Sequence, residues 1–130
     1  MAIIKVVCGI IFKEDKLFIC RRSSNKSLSG YWEFPGGKVE QDETFEASLK
    51  RELREELGMD VNVQNYFDTV IHEYENFTIE LIAYRCEFIE ASYKLTDHDK
   101  YEWIDLNTLL NYNLAPADIP IAEKLVKLHI

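Results

Sequence analysis

The chain has no cysteine framework. Cys8, Cys20 and Cys86 are odd in number and widely spaced, with no Cys-x-x-Cys pair. That excludes a disulfide scaffold and points to reduced thiols in a cytoplasmic protein. Cys8 and Cys20 lie in apolar runs, where small buried residues are expected rather than nucleophiles or metal ligands. His72, His98 and His129 lack zinc spacing and read as structural or exposed. No apolar run reaches membrane-spanning length. The stretch Ala2–Phe12 is too short and contains Lys5. It also lacks the small-residue cleavage region of a signal peptide. Basic residues are scarce as well: 15 Lys and Arg stand against 23 Asp and Glu, a net charge of −8. That balance argues against a nucleic-acid polymer as partner, because a polymer's phosphates demand basic surface. A free nucleotide stays possible, since a divalent cation neutralises phosphates locally. Repeats and low-complexity segments are absent too. A chain of 130 residues suits one domain, residues 1–130, around one core.

What is present is concentrated between Gly37 and Met59. After Pro35-Gly36-Gly37, the chain has Glu43 six positions beyond Gly37, then Arg51-Glu52-Leu53-Arg54-Glu55-Glu56-Leu57-Gly58. At about 100° per residue, a helix from Thr44 to Leu57 puts Phe45, Leu49, Leu53 and Leu57 on one apolar arc. Glu56 falls inside that arc, and Glu52 and Glu55 lie at its edge. Arg51 reaches Glu55 one turn on. Such an arrangement is either a Glu-rich surface helix or a cation site. A carboxylate inside an apolar arc costs several kcal/mol unless it is paired or bound to a metal, and no Lys or Arg of the helix shares Glu56's arc. Gly36-Gly37 supplies a turn into the helix, and Gly58 ends it. Ligation by oxygen alone favours Mg²⁺ or Mn²⁺ over zinc.

This segment resembles the signature of the Nudix hydrolases at every fixed position. The resemblance implies that Glu52, Glu55 and Glu56 bind the metal, with the Gly37 carbonyl as an added ligand. It implies that Arg51 orients the glutamates and that Lys38 and Glu43 sit near the attacking water. Glu52 is the first choice of base. It also implies the Nudix fold, an α/β/α sandwich of the α/β (α+β) class with a mixed sheet between helices, over essentially the whole chain.

The residue patterns agree with that outline. Ile3–Phe12 and Leu17–Arg21 read as strands around a polar turn. Ser23–Gly30 reads as a loop. Val61–His72 and Thr78–Glu90 read as a long hairpin, Tyr101–Ile104 as a short strand, and Leu106–Leu110 as a short helix or turn. A last helix runs to about Leu128 with Pro120 in its first turn.

Outside the signature, Arg21-Arg22, Trp32–Glu40 and Leu114–Pro120 resemble the MutT-type nucleoside triphosphate pyrophosphohydrolases, and Leu114–Pro120 the CTP pyrophosphohydrolase branch of that group. The implied substrate is a nucleoside triphosphate such as CTP, dCTP, a 5-substituted dCTP or 8-oxo-dGTP. It would be cleaved to NMP and diphosphate with Mg²⁺. The rivals are another nucleoside-diphosphate-linked substrate, such as a nucleotide sugar or dinucleoside polyphosphate, and a non-catalytic nucleotide sensor. Trp32 and Phe34, two apart on one strand face, either wall a base or pack in the core. Arg22 either holds a phosphate or base oxygen or is a solvated loop residue. Asp118 either accepts an N–H from the base or caps the last helix. The group has a glutamate six residues before a Trp. Counting back from Trp103 gives Asp97 as the extra metal ligand, with Asp99 as competitor. Monomer and homodimer remain open.

Overall fold

The computed structural model describes residues 3–24 and 28–129. Part of the expected loop, residues 25–27, therefore lies outside the described residues. Strand β1 (Ile3–Lys13) turns through Glu14-Asp15 into β2 (Lys16–Arg22), with Lys13 opposite Lys16. Two short strands follow, β3 (Trp32–Glu33) and β4 (Gly36–Lys38). Helix α1 spans Phe45–Leu57. The hairpin β5 (Met59–Glu73) and β6 (Thr78–Ala91) comes next, then β7 (His98–Asp105). A 3₁₀ helix at Leu106–Asn111 and helix α2 (Ile119–Leu128) complete the chain.

The strands form one seven-stranded sheet. β1 and β6 run parallel; the other pairings among these seven strands are antiparallel. One side of β1 is divided between two partners. Its end pairs with β2, while Val6, Val7 and Cys8 pair with Lys38, Gly37 and Gly36. The alternation of strand side chains builds two cores. Val7, Ile11, Phe18 and Cys20 face Leu49, Leu53 and Leu57 of α1. Cys8, Ile10, Leu17 and Ile19 face Ile121, Ala122 and Leu125 of α2. This is the expected mixed sheet between helices. All three cysteines are buried and unpaired. Among the described residues, no helix is long and apolar enough to cross a membrane.

Helix α1 begins and ends where its residues dictate. The Thr44 hydroxyl accepts the Ala47 N–H at 3.1 Å, a side-chain cap for the first turn. Gly58 closes the helix at φ 61°, and its N–H reaches the Arg54 carbonyl at 3.0 Å. That left-handed geometry favours glycine.

Candidate active site

Arg51 organises the acidic side of α1. Its Nε and Nη2 donate to the two oxygens of Glu43 at 2.7 and 3.0 Å. Nη1 donates to Glu52 Oε1 and Glu55 Oε2, both at 3.0 Å, and Nη2 to the Lys38 carbonyl at 3.3 Å. One guanidinium thus ties three glutamates to the loop before the helix. Hydrogen bonding to Arg51 pulls the Glu43 pKa down to about 2. Glu43 lies outside the cavity wall and holds Arg51.

A second set of contacts fastens the far end of α1. The Ser92 N–H donates to the Gly58 carbonyl at 2.9 Å, and the Lys94 N–H to the Leu57 carbonyl at 3.1 Å. The Thr96 hydroxyl donates to Glu56 Oε2 at 2.6 Å. These bonds satisfy carbonyls that a helix end leaves open. They also deliver Asp97 to Glu56. Asp99 instead pairs with Arg21 at 2.9 Å. Of the two aspartates, only Asp97 joins the cavity wall.

The cavity holds about 550 Å³. Its wall has two characters. Gly37, Lys38, Glu52, Glu56 and Asp97 give a strongly acidic part, and Ile4, Val6, Phe34, Phe77, Ile79 and Leu81 give an apolar part. Arg22, Glu33 and Asp118 add polar groups. Glu55 does not line the cavity; its side chain is 57% exposed and bonded to Arg51.

The acidic part fits a divalent cation. Burial raises the Glu52 pKa, with Arg51 opposing and Glu55 adding to the rise. Burial also raises that of Glu56, helped by the adjacent Asp97 carboxyl. Crowded carboxylates with too little positive charge are the donor set a hard cation stabilises. Gly37 shows how closely they are held, because a Cβ there would lie 2.2 Å from Glu52 Cδ and Oε2.

The raised values carry a stability prediction. The folded protein keeps protons on Glu52 and Glu56 that the unfolded chain releases above the ordinary value of 4.5. Their contribution is complete below that value and is lost as pH rises through the folded pKa values. Without metal, the melting temperature should therefore fall as pH rises from 4.5 toward neutrality and beyond. Thermal melts in EDTA measure this, and Mg²⁺ should reverse the loss at the higher pH. A metal-free melting temperature that rises across this range contradicts the assignment.

The remaining predicted residues divide. Phe34, 3% exposed, joins both core and cavity wall. Trp32 packs edge-on against Tyr112 at 5.2 Å in the α2-side core and does not line the cavity. The reason is backbone pairing. Its N–H donates to the Asn113 carbonyl at 2.8 Å, and its own carbonyl accepts the Ala115 N–H at 2.9 Å. Arg22 lines the cavity, with Nη1 3.5 Å from Glu33 Oε2. Asp118 occupies the cap position of α2, but its side chain makes no cap bond. Oδ2 accepts the Phe34 N–H at 2.9 Å instead, which corrects the capping alternative. Burial, reinforced by Glu33, pushes the Asp118 pKa well above the usual carboxylate range. When protonated, Asp118 donates a hydrogen bond as well as accepting one.

Sequence reasoning missed Glu33 and His98. Glu33 alternates with Trp32 and Phe34, and that alternation was the available signal that it faces the other way. His98 Nε2 lies 2.8 Å from Glu33 Oε2, and Cys20 Sγ donates to the Glu33 carbonyl at 3.6 Å. The donor atoms of Cys20, Glu33 and His98 lie within 4.8 Å of one another, a zinc-like set. Burial, reinforced by Glu33 and Asp118, pushes the Cys20 pKa well up.

The NUDIX domain family matches residues 6–124. The chain is 37% identical over 128 residues to the CTP pyrophosphohydrolase of Escherichia coli (strain K12), covering 98% of this chain and 95% of that protein. It is 32% identical over 127 residues to the 8-oxo-dGTP diphosphatase of Buchnera aphidicola, covering 95% and 93%. The crystal structure of the MutT protein from Methanosarcina mazei Go1 superposes with a TM-score of 0.85 at 27% identity, covering 98% of this chain and 94% of that one. Nudix proteins of this kind hydrolyse phosphoanhydride bonds with a divalent metal. A match over nearly the full chain, to sequence and structure alike, places this protein in the Nudix hydrolase family.

Proposed function

We propose that this chain is a Mg²⁺-dependent (deoxy)nucleoside triphosphate pyrophosphohydrolase, converting NTP and water to NMP and diphosphate. The observation that carries this reading is the two-part cavity. An acidic wall suited to a metal–phosphate group and an apolar wall suited to a base share one space of about 550 Å³. Mg²⁺ is preferred over Mn²⁺ as the hard cation that usually accompanies nucleotide phosphates. Glu52, Glu56, Asp97 and the Gly37 carbonyl would hold it, with Glu55 beside them. When bound, it neutralises phosphate charge and lowers the pKa of water.

The chain's own residues do the rest. Glu52 takes the proton of the attacking water; its burial raises its pKa toward the range of a useful base. Arg51 keeps Glu52 in place through Oε1. Lys38 and Arg22 face the phosphates. Phe34 gives the base an apolar surface, and Asp118 reads its edge. The preferred base is a pyrimidine, in CTP, dCTP or a 5-substituted dCTP. The resemblance of Leu114–Pro120 to the CTP-cleaving branch favours it, as does the 37% identity to the Escherichia coli enzyme. Buried, unpaired cysteines suit a cytoplasmic enzyme that clears abnormal or surplus nucleotides.

A screen of canonical and modified NTPs with Mg²⁺, separating NMP from NDP, tests the reaction. Attack at the β-phosphorus puts ¹⁸O from solvent into diphosphate. Label found only in NMP would move the attack to the α-phosphorus. Release of NDP and inorganic phosphate would reject the reading. Asp118→Asn tests base choice. It should change kcat/KM for the preferred base by about tenfold or more, as befits a buried hydrogen bond, and change it less for other bases. An equal small loss for all NTPs, matched by a lower melting temperature, would make Asp118 purely structural.

A further inference from the structure

His98 is only 4% exposed. Its Nδ1 is buried without a hydrogen-bond partner among the described residues. Burying an imidazole with one nitrogen unsatisfied is unfavourable, and an apolar side chain at this position would avoid the cost. What an apolar side chain could not supply is the 2.8 Å contact from Nε2 to Glu33 Oε2. Arg22 Nη1 approaches the same oxygen at 3.5 Å. Cys20 fixes the other end of the residue through the Glu33 carbonyl. Glu33 is therefore held at its carbonyl and at one carboxylate oxygen while it lines the cavity. Among the described residues no hydrogen bond reaches the second oxygen, Oε1, which leaves it for a ligand. Strand register makes the hold rigid, since β2 pairs Cys20 with Glu33 on one side and Arg22 with His98 on the other.

We propose that His98 is a positioning residue for nucleotide recognition: it pins Oε2 of Glu33 so that Oε1 accepts a hydrogen bond from an N–H or O–H group of the bound nucleotide. This rests on the nucleotide reading of the same cavity. The donor is either an amino group of the base or a hydroxyl of the sugar. His98 itself touches neither substrate nor metal.

The test is binding of nucleoside monophosphates in EDTA by calorimetry, with steady-state kinetics alongside. His98→Leu should weaken CMP binding by about tenfold or more and raise KM in step, the scale of one charge-assisted hydrogen bond. It should leave kcat within about threefold. His98→Gln, which keeps an N–H near the Nε2 position, should restore most of the affinity. Glu33→Gln should show the same loss, and adding His98→Leu to it should cost nothing more, because His98 acts only through Glu33. Loss confined to CMP over UMP identifies the base amino group, and loss confined to ribonucleotides identifies the sugar. If Leu does not fold, His98→Asn, whose amide falls short of Glu33, takes its place. Unchanged CMP affinity in a folded variant overturns the proposal. So does additive loss in the double variant, or a melting-temperature drop with no change in binding. A wild-type protein that neither binds NMP nor cleaves NTP would instead remove the nucleotide reading, and this inference with it.

Discussion

Glu56→Gln lowers turnover at saturating Mg²⁺ by about 100-fold or more, and at the same time stabilises the metal-free protein. Both effects have one origin. The Glu56 carboxyl is desolvated and lies beside Asp97, which is why its pKa is raised. Glutamine keeps the size and an oxygen for the Thr96 hydroxyl but removes the charge. A metal bound as proposed would then lose a ligand charge on which phosphate placement depends, while the metal-free protein loses a repulsion. Glu55→Gln separates the two effects. Its side chain is 57% exposed, so turnover should fall similarly while the metal-free melting temperature stays within about 1 °C, as for most surface substitutions. Rates near wild type in both variants at high Mg²⁺ would end the assignment of these glutamates.

Gly37→Ala should cost about 100-fold in kcat with little change in melting temperature. The added Cβ would overlap Glu52 Cδ and Oε2 at 2.2 Å. A carbon needs about 3.5 Å from its neighbours, so the carboxylate must move by about 1 Å. The obstacle is the end of a flexible side chain and not backbone, so the fold absorbs it. The chemistry does not, since misplacing a reacting group by about 1 Å can cost about 100-fold. Steady-state rates and thermal melts measured on one preparation decide it. Full activity would show that Glu52 works equally well from a displaced position. Unfolding would show that β4 has no slack against β1.

The parts legible in the sequence share a short range. Helix α1, its Thr44 start, its Gly58 stop and its buried Leu49, Leu53 and Leu57 follow from spacing within a few turns. So do the strands, whose alternation survives even in β1 and β2, where two cores draw on neighbouring residues. The resemblance, counted back from Trp103, pointed to Asp97, which lines the cavity beside Glu56. The obscure parts are decided by pairings across the chain. Trp32 is carried into the core by bonds to residues 113–115. Asp118 sits where a helix cap belongs, yet its carboxylate is claimed by the N–H of Phe34. Glu33 and His98 are 65 positions apart and meet only because β2 runs between their strands. The parallel run of β1 against β6 has no local signature either.

The tethers from residues 92, 94 and 96 to the last turn of α1 bear on how this protein tolerates changes in chain length. Anchors at every second residue leave no slack in that connection. One inserted or deleted residue there, beyond Tyr93 with its stacking on Tyr101, would shift Asp97 away from Glu56 by about 3.3 Å, the rise of one extended residue. A length change in this short connection would therefore silence the enzyme while leaving it folded. Alignments and designed chimeras should treat the number of residues between Gly58's partner Ser92 and Asp97 as part of the active site.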